Sequence, residues 1–532
     1  MGCSAMMPAY ASGCVRHQSD RGRQPGVRGR SPIADGHTGC PSPLSVMYPI
    51  IAMLACAALA GAVTELPSII GPHMVLQRER QVPIWGWDEP GRTVTVGFRD
   101  GSVSVVAGAD GRWEASVTTG PAGGPFELRI DGSTGHRLAD ILVGEVWIAG
   151  GQSNMWWQLR NCLDGEATIA ASDRPSLRWY DANTGAKEAG WPSERPQRSV
   201  ETRWQVSHPS VAADFAGTAY HFARGLQEHL GVPVGIVHVA VPGTGIESWM
   251  RGELLRGEFS DLLKLQELRR NDPAPAGAGE RRQKDADGAV LWNGMVAPCA
   301  PFAAKGFLWW QGEHNAGQPG LYRALFPALI NDWRQRFRLA EAPFLFVELA
   351  GFGTRATQPV EDAAWPALRD AQRSALRLPG TAMVCTLDIL REYGWEIHPP
   401  DKALAGNRLL RAAQALAYGE AIVWSGPQPV AWRFNDGQAE IDYTHAEGLG
   451  VRGGGDLVGF ALAGDDGAWH DGQAAIHGTT VRVIAPQVPR PAAVRYAWQN
   501  NPRGCNLTNA AGLPASQFRS DTWALLTRAA GR

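Results

Sequence analysis

The stretch "GGQSNMWW", residues 150–157, sets Ser153 directly after the apolar run "EVWIA" and two glycines. A serine hydroxyl is a weak nucleophile until a base removes its proton, and neutral histidine suits that task near pH 7. His398, in "IHPPDK", supplies such a base. Attack on an acyl carbon creates an oxyanion, which needs N–H donors already aimed at it. The candidate donors are the backbone N–H of Ser153, a glycine N–H from "PGTG" (Gly243 or Gly245) and the side-chain amide of Gln311 in "WWQGEHNA". A glycine lets the backbone approach a ligand with no side chain in the way. Two acids stand ready to orient the imidazole: Glu396, two residues before His398, and Asp388, ten before it. Glu396 is preferred because it is local. Gln152, Asn154, Trp156, Glu247, Asn293 and Glu313 lie beside these motifs and complete the candidate substrate site. Taken singly, each has a structural use, as a helix cap, a turn or a strand end. Their joint appearance is what acyl transfer requires.

Something must bring these residues together. From residue 144 the chain alternates apolar strand candidates with helical periodicity: "GEVWIAG" (144–150), "PVGIVHVAV" (233–241), "KGFLWWQ" (305–311), "PFLFVELA" (343–350) and "TAMVCTLDI" (381–389). Phe215, Ala219, Phe222, Ala223, Leu226 and Leu230 share one helical face, as do Leu404, Leu409, Ala412, Ala413, Leu416 and Ala417. Continuous apolar strands between helices imply a parallel sheet covered on both faces, an α/β architecture. Ligands in such sheets sit outside the carboxyl ends of the strands. Ser153, Gly243–Gly245 and Gln311 follow the first three of these strands directly, and His398 lies in the loop beyond the fifth.

Around this domain (144–420) the pattern is β. Residues 65–143 hold short alternating stretches such as "RTVTVGF" and "RWEASVTT", read as a β-sandwich or jelly-roll module. Residues 421–532 read as a second β module with a return segment, and 271–289 as a polar insert. Residues 1–46 are Arg-, Gly-, Pro- and Ser-rich, a disordered or mis-annotated leader. Met47 then opens an apolar run that reads as a signal peptide over 47–62, predicting export to periplasm or medium. That run is short for a membrane span, so no stable membrane association is expected.

At 532 residues, with 44% hydrophobic and 19% charged residues, the chain has ample core. A net charge of −2 argues against a nucleic-acid partner. The 21 tryptophans raise carbohydrate as a ligand class, since indole faces stack on sugars. Cys162, Cys299, Cys385 and Cys505 permit disulfides in an exported protein, but their spacing has no metal-ligand signature and no structural metal is expected.

The motifs "GQSNM", "GTGIESW", "LWNGMVAP", "WWQGEHNA", "IHPPDK" and "RYAWQNNPRGCNLTNAAGLPASQFRSD" resemble the sialate O-acetylesterase family of the SGNH-hydrolase superfamily, from about residue 65 to 525. The resemblance implies a flavodoxin-like catalytic domain with accessory β modules. It also implies cofactor-free removal of O-acetyl groups from sialic acid or other glycans, through an acyl-enzyme. Carried across, Ser153 is the nucleophile, His398 the base, and Gly243 or Gly245 with Gln311 the oxyanion donors. The superfamily places Asp three residues before the histidine; position 395 here is Trp. An acetylxylan- or pectin-type esterase differs only in pocket shape. A decayed, non-catalytic glycan-binding protein is the reading from another class. No GxSxG elbow surrounds Ser153, which disfavours an α/β-hydrolase. Glycosidase chemistry would rest on Glu247 and Glu313, the one acid pair on the rim.

Overall fold

A computed structural model describes residues 63–183, 193–261, 264, 288–389, 396–435 and 437–525. The leader and signal peptide expected over 1–62, most of the polar insert at 271–289, and Trp395 lie outside these residues.

Strand β1 (Gly135–Gly151) is the spine of the fold. Up to Asp140 only Leu138 is buried; from Ile141 to Gly151 every residue is. The two halves have different neighbours. The first pairs antiparallel with Gly123–Asp131 of the N-terminal β region. The second lies between parallel strands and is covered on both faces, which removes the alternation. The boundary expected between residues 143 and 144 therefore falls inside one strand. What the sequence marks there is a change from one buried face to two, not a linker, and residues 62–532 form one compact unit.

Six further strands complete the central sheet: β2 (Arg174–Asp181), β3 (Trp204–Ser207), β4 (Val234–Ala240), β5 (Gly306–Trp310), β6 (Phe344–Val347) and β7 (Thr381–Val384). Their order is β7-β6-β5-β1-β4-β2-β3, all parallel but β3. The five strands expected from the sequence are β1, β4, β5, β6 and β7, arranged in the flavodoxin-like order with β1 at the switch point. β2 escaped notice because only Leu177–Tyr180 of "RPSLRWYD" is continuously buried.

The helices that matter for the site and the sheet faces are α1 (Ser153–Trp156), α2 (Gly217–Leu230), α3 (Pro319–Arg336), α4 (Ala364–Arg373) and α5 (Lys402–Tyr418). Trp147 and Gly150 are three apart on β1, so they face opposite sides of the sheet. Trp147 meets Phe222 of α2 edge-on, and its Nε1 donates to Tyr418 Oη of α5 at 3.3 Å. A Cβ on Gly150 would lie 2.9 Å from the Trp333 ring of α3. Thus α2 and α5 cover one face and α3 the other. Trp249, Trp309, Trp310 and Trp333 are all under 2% exposed, so much of the tryptophan content fills the core rather than a sugar site.

After α5 come two four-stranded antiparallel sheets, Gln428–Asn435/Gln438–Thr444/Gln473–His477/Thr480–Ile484 and Phe460–Ala463/Trp469–Asp471/Ala493–Tyr496/Phe518–Arg519, and a two-stranded one, Gly450–Val451/Leu507–Thr508. The chain then returns to the α/β domain. Buried Arg369 of α4 donates to the carbonyls of Gln499 and Asn500 and to Gln517 Oε1. Cys162, Cys299, Cys385 and Cys505 are all buried, and no disulfide joins them to one another. No helix of the described residues is long and apolar enough to cross a membrane.

α2 and α5 approach closely at Gly406, where a Cβ would stand 2.6 Å from the Thr218 carbonyl oxygen and 2.8 Å from His221 Cβ. Gly406→Ala gains about 1 kcal/mol of helix propensity. It is nonetheless expected to lose about 1–3 kcal/mol of stability, because backbone must move to admit the methyl group. Urea unfolding checks this; a variant as stable as the parent would show that the helices separate freely.

Candidate active site

β1 delivers Ser153 through two glycines. Gly151 has φ +143°, and a Cβ there would fall 2.2 Å from the Trp310 carbonyl oxygen, so no other residue fits. Gln152 N donates to that same carbonyl at 3.0 Å. Its own carbonyl accepts from Met155 N and Trp156 N at 2.9 Å, which winds α1 immediately. Gln152, not Ser153, is the N-cap, and no side chain caps this helix. The half-buried Ser153 hydroxyl makes no hydrogen bond among the described residues, and neither does its N–H. Helix capping does not account for it.

The loops after β1, β4 and β5 are tied by side-chain amides. Gln152 Oε1 accepts from Gln311 Nε2 (3.2 Å), His314 N (3.2 Å) and Gly312 N (3.4 Å). Gln311 Nε2 also faces Thr244 O (3.2 Å) and Asn315 Oδ1 (2.7 Å). Asn315 Oδ1 accepts from Ile246 N, and its Nδ2 donates to Glu247 Oε2 at 3.0 Å. This network differs from the expected roles. Gln311 is fully buried, and its two amide hydrogens meet three protein acceptors, so it braces the loops and offers no free donor for an oxyanion. Gln152, Asn154 and Glu247 are each at most 5% exposed, with their polar atoms turned into the protein. They position loops; they do not line a substrate site. Asn293 likewise serves the fold, donating to Ser193 O and accepting from Gln197 N. Glu247 and Glu313 are both inside this scaffold, which removes the acid pair a glycosidase would need. Trp156 is half-buried against the core.

The two glycines separate. Gly243 has φ +70°, nothing stands within 4 Å of an added Cβ, and its N–H donates to no acceptor among the described residues. Gly245 is buried, and a Cβ there would lie 2.5 Å from Glu247 Oε1. Gly243 presents an open N–H; Gly245 makes room for a carboxylate.

His398 arrives in the short loop before α5, whose N-cap Asp401 accepts from Leu404 N. Three contacts seat this loop on α1 and the turn after it. Asn154 Nδ2 donates to Ile397 O at 3.1 Å. The Trp157 ring stacks on the imidazole at 4.9 Å. Leu163 N donates to Pro400 O at 3.0 Å. Glu396 Oε1 stands 3.5 Å from His398 Nδ1 and accepts from the His398 backbone N–H at 3.2 Å. Nδ1 therefore faces the acid, and Nε2 is on the opposite side of the ring. Burial first, then the nearby Lys402 ammonium, hold the His398 pKa below its ordinary value, with Glu396 opposing. No hydrogen bond joins Ser153 to His398 in the free enzyme; such contacts often tighten only in the substrate complex.

Asp388 is elsewhere. Arg408 grips it with two bonds of 2.7 Å, and Arg452 of the C-terminal region adds a third. Burial raises its pKa, but the two guanidiniums win and hold it low. Its oxygens serve a buried ion cluster, which corrects its candidacy as the orienting acid.

Sequence reasoning missed Lys402. It is wholly buried at the first position of α5, and its Nζ donates to Asn154 Oδ1 at 2.5 Å. A cation at the positive end of a helix is electrostatically misplaced, and that misplacement is the signal the sequence carried.

Comparison with known proteins is decisive at this point. The family described as "Carbohydrate esterase, sialic acid-specific acetylesterase" matches residues 143–413, about half of the chain. The chain belongs to this family. It is a carboxylic ester hydrolase of SGNH type that acts on the O-acetyl groups of carbohydrate. Among relatives, the sialate O-acetylesterase of Homo sapiens is 29% identical over 427 residues, covering 73% of this chain and 77% of that protein. The Mus musculus sialate O-acetylesterase is 28% identical over 428 residues, covering 70% and 76%. The crystal structure of a carbohydrate acetylesterase from Xanthomonas citri matches at TM-score 0.76 and 35% identity, covering 87% of this chain and all of that one.

The two acids predict opposite outcomes. Glu396→Gln is expected to lower kcat about tenfold, below the usual acid–base contribution because this carboxylate is 55% exposed, with Tm unchanged. Asp388→Asn is expected to cost about 3–5 kcal/mol of stability, leaving two guanidiniums without their anion, while the folded fraction keeps its kcat. Steady-state kinetics beside thermal melts decide it; a large kcat loss in folded Asp388→Asn would reverse the assignment.

Proposed function

We propose that Ser153 Oγ attacks the acetyl carbonyl carbon while His398 Nε2 takes its proton. The backbone N–H groups of Ser153 and Gly243 receive the oxyanion. Collapse expels the sugar hydroxyl, which regains the proton from His398, and leaves an acetyl-serine. Water, deprotonated by the same imidazole, then releases acetate. Glu396 holds the tautomer with hydrogen on Nδ1. The carrying observation is the seating of the His398 loop on α1, through Asn154 Nδ2 to Ile397 O and the Trp157 stack. A decayed binding protein was conceivable because the DxxH acid is missing. Glu396, 3.5 Å from Nδ1, supports the catalytic reading over that one.

The substrate class is an O-acetylated glycan, with acetylated sialic acid first in view of the mammalian relatives and acetylated plant polysaccharide second. The apolar run at 47–62 supports work outside the cytoplasm. An acetate-release screen over acetylated sialic acids, acetylxylan and acetylated pectin ranks these substrates. In each case Ser153→Ala is expected to lose roughly 10⁴-fold or more in kcat. Equal turnover by both proteins would end the serine mechanism.

The pH dependence carries a sign. His398 must be neutral to act as base, and its pKa is lowered. The acid limb of kcat/KM should therefore have its midpoint below about 6.5, the ordinary histidine value. A midpoint above 7 would mean that His398 is not the titrating base.

A further inference from the structure

Three elements meet beneath Ser153 through one side chain. Asn154 Oδ1 accepts from Lys402 Nζ at 2.5 Å; its Nδ2 donates to Glu313 Oε1 at 2.6 Å and to Ile397 O at 3.1 Å. Asn154 belongs to the nucleophile turn, Glu313 to the loop after β5, and Lys402 and Ile397 to the segment that carries His398. The chemistry of the groups fixes the orientation of the amide. The Ile397 carbonyl only accepts, so it demands Nδ2, and Oδ1 is left to receive the Lys402 amino group.

We propose that Lys402 is a positioning residue for the esterase reaction: by holding Asn154 Oδ1 it directs Nδ2 onto Ile397 O, and so locks the His398 ring over the turn that carries Ser153. The inference rests on the serine–histidine reading above. The Trp157 and Trp310 rings and buried Glu313 favour a cation at this position, and the lysine also fixes the Asn154 amide through its oxygen. Buried lysines are rare, and a cation at a helix N-terminus opposes the macrodipole. A methionine of similar length would fill the space between Trp157 and Trp310, whose rings lie 5.5 and 4.5 Å from Nζ.

Charge gives Lys402 a second effect on the same ring. The titratable groups around it are Glu313, Cys162, Asp401 and Glu396, and those around His398 are Glu396 and Lys402 itself. Burial brings the Lys402 pKa down to about 7, with Glu313 among the groups that oppose the fall. The Cys162 thiol is pushed up to about 12 by burial and stays neutral. Below pH 7, where His398 titrates, Lys402 is the protonated neighbour that disfavours a second cation. The lysine thus holds the base in place and keeps it unprotonated.

The test compares parent, Lys402→Met, Asn154→Ala and Ser153→Ala on one chromogenic acetyl ester, with full pH profiles and thermal melts. Lys402→Met is expected to lose tenfold or more in kcat with KM within twofold. Its acid-limb midpoint should move to higher pH, because the imidazole now protonates more easily. Asn154→Ala breaks the tie but leaves the ammonium, so kcat should fall by a similar factor with the acid limb nearly unmoved. A folded Lys402→Met with the parent's kcat, or with a reduced kcat and an unmoved acid limb, overturns the proposal and leaves Lys402 a packing residue. If Lys402→Met does not fold, Asn154→Ala decides: parental kcat refutes the tie, and a tenfold loss with the acid limb in place supports it. Ser153→Ala separates the layers. Its inactivity beside unaffected Lys402 and Asn154 variants refutes this inference alone, whereas its full activity refutes the serine mechanism beneath it.

Discussion

A serine and a histidine can share a proton only if they are held within about 3 Å of one another. Here they come from opposite ends of the catalytic domain. The contact that bridges that separation is a single amide, Asn154, reaching from the nucleophile turn to the carbonyl preceding His398. Around it the structure places the acceptor-only Ile397 carbonyl at Nδ2 and the Lys402 amino group at Oδ1, so the amide has one orientation with every atom satisfied. Stacking of Trp157 on the imidazole adds a second restraint from the same turn. The rest of the site follows from that seat: Nδ1 faces Glu396, and Nε2 is on the opposite side of the ring.

The sheet makes this arrangement possible by bringing several chain ends to one rim. β1 sits at the switch point, with connections leaving to both sides, so the loops after β4 and β5 flank it. Gly151 lets β1 end hard against the Trp310 carbonyl, and Gln152, Gln311 and Asn315 then stitch the three loops. Buried polar groups arranged this way are rigid only when nearly all are partnered. The consequence is a division of labour. The side chains beside the motifs build the frame, while the backbone N–H groups of Ser153 and Gly243 donate to no acceptor among the described residues, as the proposed oxyanion role requires.

Much of this was legible in the sequence, for physical reasons. Parallel strands buried on both faces leave continuous apolar runs, and five of them announced the α/β sheet; its flavodoxin-like order was implied only by the family resemblance. Ser153 and His398 stood out because strand ends in such sheets form sites. What stayed hidden were partnerships across space. Gln152, Asn154, Glu247 and Gln311 sit next to the nucleophile or the glycine loop in the chain, and adjacency suggested contact with substrate. The fold turns them inward instead, because three converging loops bring more backbone polar groups than the loops themselves can satisfy. Only proximity in the chain favoured Glu396 over Asp388; Arg452, from a region distant in sequence, claims the latter. Near residue 143 burial changes along a strand that does not end, so the change of pattern marks a change of neighbours within one strand. Lys402 was overlooked although it broke a local rule, a cation at a helix start, and such breaches concentrate at functional sites.

The central claim is that Ser153 becomes nucleophilic through His398, and covalent trapping tests it without reference to any particular sugar. The enzyme would be treated with an activated alkyl phosphonate ester and analysed by intact mass and peptide mapping. The account predicts one adduct per chain, on the peptide containing Ser153, and its near disappearance in His398→Ala. An adduct on a different residue, or equal labelling of His398→Ala, would contradict it.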